Sequence, residues 1–383
     1  MYYAVIGNNY GDEGKGLAVD YLTRNGNALV VRHNGGAQSA HTVDREDKRF
    51  VFHELSSGSF NGADTYWADT FFPDLYKLEE EISELSGISH GHINIFASPK
   101  ANVTLLYDVY LNQKKEESRG RNKHGSCGMG IWEATKRSQK GFGLTLGDIS
   151  SLNADELALR LDRIEKDYMS PVLAAKKIPG PLELDNIRYA SILKNALESF
   201  VTLTDDEEGL LRAYDNVVFE GGQGLLLDTS REELWPHTTC SNTNIINPVN
   251  LLGRTGLKLD EAVYVTRSYL TRHGAGPFDE DKGLRFDDKT NLPNPWQDNM
   301  RFGRFESALS PVERALKDRR DNCSYEINTS LFITHLDETK DMLLVRDGDM
   351  DLDDFTALAF DAGIDKLYIS RSRFAKDVNM VMA

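Results

Sequence analysis

The first twenty residues limit the possible folds more than any other stretch of the chain. Tyr2-Tyr3-Ala4-Val5-Ile6 is a short apolar run of β-forming residues. Gly7-Asn8-Asn9-Tyr10-Gly11-Asp12-Glu13-Gly14-Lys15-Gly16 follows at once, and Leu17-Ala18-Val19-Asp20-Tyr21-Leu22 then takes up helical spacing. Strand, glycine loop and helix in this order predict a nucleotide-phosphate cradle, in which backbone N–H groups close around phosphate oxygens at the positive end of the helix and Lys15 neutralises charge. The loop differs from the standard P-loop: six residues separate Gly7 from Gly14, and Gly16 follows Lys15 where that motif offers a magnesium-binding hydroxyl. Two carboxylates, Asp12 and Glu13, would repel phosphate unless a metal or a proton transfer gives them a role. Asp12 is therefore the first catalytic candidate.

Later segments repeat the same plan. Ala28-Leu29-Val30-Val31-Arg32 is a second buried-strand pattern running into a polar glycine loop, His33 to Val43, that contains Ala40 and His41. Residues from Phe72 to Leu85 have the spacing of an amphipathic helix, with Glu79-Glu80-Glu81 expected on its solvated face. Arg119 to Gly130 is basic and glycine-rich, a loop suited to gripping a phosphate. Residues from about 151 to 214 alternate apolar and charged positions at helical spacing, with a break at Ile178-Pro179-Gly180-Pro181. Val217-Val218-Phe219 leads into Glu220-Gly221-Gly222-Gln223-Gly224, again a strand followed by a glycine loop.

Composition narrows the functional classes. With 60 acidic and 44 basic residues the formal charge is −16, which argues against a nucleic-acid backbone as partner and requires anionic substrates to be met by local basic clusters. No apolar stretch reaches membrane-spanning length and no charged-then-apolar leader is seen, so the expected location is cytoplasmic, without a membrane partner. Cys127, Cys240 and Cys323 lack metal-ligand or disulfide-framework spacing.

Gly11-Asp12-Glu13-Gly14-Lys15-Gly16 with Val19-Asp20 resembles the signature loop of the adenylosuccinate synthetase family. Phe219-Glu220-Gly221-Gly222-Gln223-Gly224, the Pro236 to Thr243 segment and Thr271-Arg272-His273-Gly274-Ala275-Gly276-Pro277-Phe278 resemble further family motifs in the family's order. The resemblance runs from Tyr3 to about Arg373. It implies an α/β fold over 1–383 as a single domain, with a mostly parallel central sheet, a P-loop-like glycine loop and a helical excursion at about 151–214.

The implied activity is a C–N bond-forming ligase. A nucleoside triphosphate (GTP, ATP or dATP) phosphorylates the 6-oxo group of a purine monophosphate, and L-aspartate then displaces that phosphate. By the same resemblance Asp12 is the base that removes the N1 proton and touches Mg²⁺, with the Ala40 carbonyl as a second metal ligand. His41 is the acid near the 6-oxygen, Lys15 joins the catalytic set, and Gly11, Glu13, Gly14 and Gly16 line the phosphate loop. Ser126 and Cys127 stand where the family has two threonines on the 5′-phosphate; Gln223, Thr239 and Arg272 fall on the monophosphate side.

Asp337, after Leu331-Phe332-Ile333-Thr334-His335-Leu336, matches the guanine-reading carboxylate, with His335 replacing a lysine. The family's arginine-rich aspartate loop is altered, leaving Arg301 and Arg304 as the aspartate-binding candidates for residues 291–306. A homodimer is implied, with a partner-subunit arginine in the nucleotide site; Arg137 and Lys140 are the available counterparts here. The altered arginine run, Ser126-Cys127, Ala40 and His335 together resemble the phage branch that acts on dGMP in making 2-aminoadenine, although Asp12 is retained where that branch often lacks it. The readings carried forward are dGMP as acceptor, IMP as the alternative, and a non-catalytic nucleotide sensor on the same fold.

Overall fold

The computed structural model describes residues 1–89, 93–120, 124–178, 182–287, 296 and 299–383. Arg121, Asn122 and Lys123 of the basic loop, the Pro179-Gly180-Pro181 break and residues 291–295, 297 and 298 of the altered aspartate loop lie outside the described residues.

Ten strands form one sheet: β1 (Tyr2–Gly7), β2 (Ala28–Arg32), β3 (Asp64–Trp67), β4 (Ile95–Ala97), β5 (Val201–Leu203), β6 (Asn216–Gly224), β7 (Glu261–Arg267), β8 (Asn328–Thr334), β9 (Lys366–Ile369) and β10 (Asn379–Met382). Their order is β10-β9-β8-β7-β1-β6-β2-β3-β4-β5, parallel throughout except for β10, which pairs antiparallel to β9 at the edge. β1 is central because both of its faces are apolar, as a strand covered on two sides must be. Ala4 and Ile6 join Leu29, Val31, Phe219 and Tyr264 in one core with Leu251 and Val312 of the helices Ile246–Arg254 and Ser310–Asn322. Val5 faces the other way, with Val30, Val218 and Val263, against Ala18 and Val19 of α1 (Lys15–Leu22). The helix after the first loop is thereby pinned to the sheet, and the loop with it.

A second core lies at the β3–β4 side, where α2 (Leu75–Ile88), α3 (Leu106–Arg119) and the helices Ala154–Ile164 and Asn186–Phe200 bury Leu78, Leu111, Leu161 and Leu193. The expected helical stretch from 151 to 214 does contain helices, but it also carries the edge strand β5, too short for any periodicity to register. The helix predicted from Phe72 is α2, and it departs from expectation at Glu81. That carboxylate is buried and accepts backbone N–H groups from His53 (2.8 Å), Glu54 (2.8 Å) and Leu55 (3.2 Å), whereas Glu79 and Glu80 face solvent.

Of the two counterparts of a partner-subunit arginine, Arg137 is committed to groups of its own chain, whereas Lys140 is exposed. α4 (Ile131–Arg137) ends with Arg137 fully buried, its guanidinium bonded to Asp108 at 2.9, 3.0 and 3.2 Å and to the carbonyls of Val103 and Phe142. Lys140 is exposed and lies off the cavity wall.

Candidate active site

The loops leaving the carboxyl ends of β1, β2, β6, β7, β8 and β9 open onto one cavity of about 1190 Å³, where open α/β sheets place ligands. Of the site residues expected from sequence, Gly11, Asp12, Gly14, Lys15, Gly16, Ala40, His41, Ser126, Cys127, Gln223, Thr239, Arg272 and Asp337 all line it.

The first loop is held from beneath. Glu13 is buried; its Oε1 accepts the N–H groups of Asn9 (3.0 Å) and Gly11 (2.7 Å), and its Oε2 receives the Lys15 ammonium at 3.0 Å. It therefore shapes the cradle and positions Lys15 without facing the cavity, unlike the phosphate-contacting role expected of it. Gly11 and Gly14 have φ of 92° and 95°, and Asp12 itself sits at 62°, a conformation ordinary residues avoid. The strain is held by neighbours: Arg267 donates from Nε to the Asp12 carbonyl at 2.7 Å, and Thr334 from Oγ1 to the Glu13 carbonyl at 2.8 Å. Burial raises the pKa of the Asp12 carboxyl, against the pull of Lys15, Arg267 and His273, so its proton affinity exceeds that of an ordinary carboxylate.

His41 is the second candidate group. Its Nδ1 lies 2.7 Å from Glu220 Oε1, and its Nε2, buried and without a protein partner among the described residues, is left for a ligand. Burial would raise the Glu220 carboxyl, but the charges of His41 and Arg32 and the hydrogen bonds from His41 and Ser57 outweigh it and hold it at about 2. Arg32 stands 3.8 Å from Glu220, and Ser57 Oγ also donates to it. Burial lowers His41, and Glu220 opposes that shift. Sequence alone gives Glu220 no role in its motif; the signal for one is a lone carboxylate at the end of an otherwise apolar strand.

The cavity has two ends. At one, Ser126 donates to Asn112 Oδ1 at 2.9 Å and accepts from the Gly128 N–H at 3.2 Å, with Cys127, Thr239 and Cys240 beside it; the three cysteines are free thiols. At the other, Asp337 is exposed on the wall next to His335, whose Nδ1 lies 2.8 Å from Thr334 Oγ1, and near Arg371 and Phe374. Between them Arg272 is bonded to the carbonyls of Ala275, Pro277 and His237 and packs 4.6 Å from the Tyr10 ring, so it braces the wall.

The two aspartate-binding candidates lie outside this cavity. Arg304 pairs with Asp281 at 2.8 Å and with Asp349. Arg301, opposite Arg272 across the Leu270–His273/Met300–Gly303 hairpin, donates to the carbonyls of Gly274 (2.6 Å) and Gly276 (3.0 Å) and lines an adjoining recess of about 630 Å³.

A metal fits only sparingly. Among the described residues no group of three or more His, Cys, Asp or Glu side chains could hold one. Asp12 and the Ala40 segment on the cavity wall do suit a magnesium ion that takes most of its oxygens from phosphates and water.

A family model for adenylosuccinate synthetase matches residues 4–291. The adenylosuccinate synthetases of Lactobacillus acidophilus and Pseudomonas fluorescens are 30% and 32% identical over 280 and 288 residues, covering 72% of this chain. In each case the match spans 64% of the relative's length. Fully ligated adenylosuccinate synthetase from Plasmodium falciparum has a TM-score of 0.75 at 18% identity, over 100% of this chain and 99% of that one. The succinoaminodeoxyadenylate synthetase of cyanophage S-2L, bound to dGMP and dATP, has a TM-score of 0.62 at 18% identity, over 99% and 94%. At that identity these two structures bear on the fold, which they share with this chain. With the family model covering most of its length and relatives at this level of identity, the chain belongs to the adenylosuccinate synthetase family.

Proposed function

We propose that the protein is a ligase that joins L-aspartate to C6 of a 6-oxopurine monophosphate, cleaving a nucleoside triphosphate to diphosphate and phosphate through a 6-phosphoryl intermediate. The observation that carries the reading is the convergence of Asp12, Lys15 and the His41–Glu220 pair on one cavity floor between a hydroxyl-rich end and an acidic end. Asp12, with its raised proton affinity, takes the proton from N1 as the 6-oxygen attacks the γ-phosphorus. Lys15 and the loop N–H groups meet the charge spread over the transferred phosphoryl group. His41, held through Nδ1 by Glu220, offers Nε2 to the 6-oxygen and its phosphate, and an arriving phosphate favours the protonated ring. The amine of aspartate then attacks C6, and the C6–O bond breaks with phosphate as leaving group.

Asp12 and the Ala40 carbonyl would hold Mg²⁺, which supplies charge neutralisation for the phosphates when bound. Arg301 and Arg304 are the aspartate-binding candidates, and Arg304 would leave Asp281 and Asp349 to take the substrate. Gln223 and Thr239 take the monophosphate and Asp337 the base of the triphosphate. The active form is placed in the cytoplasm as a homodimer.

For the acceptor we favour dGMP, on the altered Ser126-Cys127 loop, Ala40, His335 and the missing arginine run. IMP is the second reading, favoured by the retained loop carboxylate Asp12. Phosphate release with L-aspartate and Mg²⁺, crossing IMP, dIMP, GMP and dGMP against GTP, ATP and dATP, decides among these. Release with dGMP alone supports the first reading and release with IMP alone the second. Release with none of them moves a nucleotide sensor to the front.

A further inference from the structure

The hydroxyl-rich end of the cavity is bounded by the carboxyl end of α3, by α4 and by the last residue of the helix Ser170–Lys176. α4 is locked beside Thr239 and Cys240: Thr135 Oγ1 lies 3.3 Å from Cys240 Sγ, and the buried Arg137–Asp108 pair fixes its last turn. Four cations gather there, and their pairing is uneven. Lys115 is taken by Glu133 at 2.6 Å, and Arg119 by Glu116, which also accepts the His124 N–H at 3.1 Å. Lys136 and Lys176 line the cavity yet form no ion pair among the described residues; the Lys136 ammonium stands 5.0 Å from the Trp132 ring centre instead. Burial lowers the basicity of Lys136; Glu133 opposes that shift, whereas Lys115, Arg119 and Lys176 add to it, and with two of these four cations outside any ion pair among the described residues the corner is electropositive in a chain of charge −16.

We propose that Lys136 and Lys176 hold the 5′-phosphate of the acceptor nucleotide from within the same chain, in place of an arginine supplied by a partner subunit. The inference rests on the reading of the cavity as a purine-monophosphate site. A phosphate seated beside the Thr239 hydroxyl gives Lys136 and Lys176 the anionic partner that no ion pair among the described residues supplies. Trp132 holds the Lys136 ammonium over its ring and so limits the freedom lost on binding.

The test compares the wild-type protein with Lys136→Ala, Lys176→Ala, the double variant and Lys136→Arg. In steady-state assays KM for the monophosphate should rise about tenfold for each alanine, with KM for the triphosphate within about twofold and Lys136→Arg near wild type. An unchanged monophosphate KM in the double variant, while the wild type turns over, overturns the inference and leaves the ligase reading intact. Where no monophosphate is turned over, calorimetric binding of dGMP and IMP decides. Loss of binding in the double variant supports the site, whereas equal binding, or no binding by the wild type, overturns it. Mixing the double variant with Asp12→Asn separates the two sources of charge: lysines acting within their own chain give no recovery of activity, and recovery assigns them to the neighbouring subunit's site.

Discussion

Asp12 combines three conditions that a proton-abstracting carboxylate needs: a raised proton affinity, cations within reach, and a backbone conformation held against strain by Arg267. Replacing it with asparagine preserves shape and removes the proposed base. Turnover should fall by roughly 10² to 10⁴, with nucleotide binding retained by calorimetry. Because the base must be ionised, kcat/KM for the wild type should fall on acidification at a pH above the ordinary carboxylate range, and that acid limb should be absent from the residual activity of Asp12→Asn. Glu220 acts through His41. Its charge and hydrogen bond both raise the imidazole's pKa, so Glu220→Gln should move the alkaline limb of the kcat profile to lower pH. Glu220 itself, held at about 2, contributes no limb in the working range. An unmoved alkaline limb, with folding checked by circular dichroism, would reduce Glu220 to a packing role.

At the scale of elements, α4 carries opposite duties on adjacent residues. Arg137 turns inward to Asp108 and locks α4 to α3, while Lys136 lines the cavity. Arg137→Met leaves the Asp108 carboxylate buried without its cation, and such a loss costs about 3 to 5 kcal/mol, readable as a lower urea midpoint. Asp108→Asn added to that variant should recover part of the loss, since the stranded charge is then gone. Glu81 in α2 behaves similarly toward backbone, receiving three N–H groups of the segment that follows the His41–Asp44/Arg49–Phe52 hairpin. In sequence Glu79, Glu80 and Glu81 are indistinguishable. Only the rotation of the helix against that segment separates the buried one from the two exposed ones.

Over the whole molecule, several buried acids titrate unusually. Burial raises Asp20, Asp74 and Asp318 from 3.8 to about 6. Each binds its proton more tightly folded than unfolded, so the stability it adds is present at pH below about 4 and is lost as pH rises through about 6. Glu220 has the opposite sign: its contribution is present above 4.5 and is lost as pH falls through about 2. Near pH 5 the Glu220 contribution is nearly complete and part of the aspartates' contribution remains, and the growing negative charge at higher pH adds repulsion. Urea midpoints should therefore be higher at pH 5 than at pH 8; the reverse order would mean that other groups dominate the proton linkage.

Much of the fold was legible because it is locally encoded. Apolar runs of strand length ending in glycine loops mark β1, β2, β6, β7 and β8, and the loop residues that follow them, from Gly11 to Asp337, meet in one cavity because parallel strands deliver their carboxyl ends to one edge. Short edge strands such as β5 and β10 left no such periodicity. What sequence could not decide was the partner of each charge. Glu13 faces under its loop, Arg137 into the core, Arg304 toward Asp281 and Asp349, and Lys136 and Lys176 into the cavity, although all are charged residues in polar surroundings along the chain. Backbone pattern is set by neighbours in sequence. The pairing of charges depends on distances across the fold, and those exist only once the sheet and its covering helices have closed.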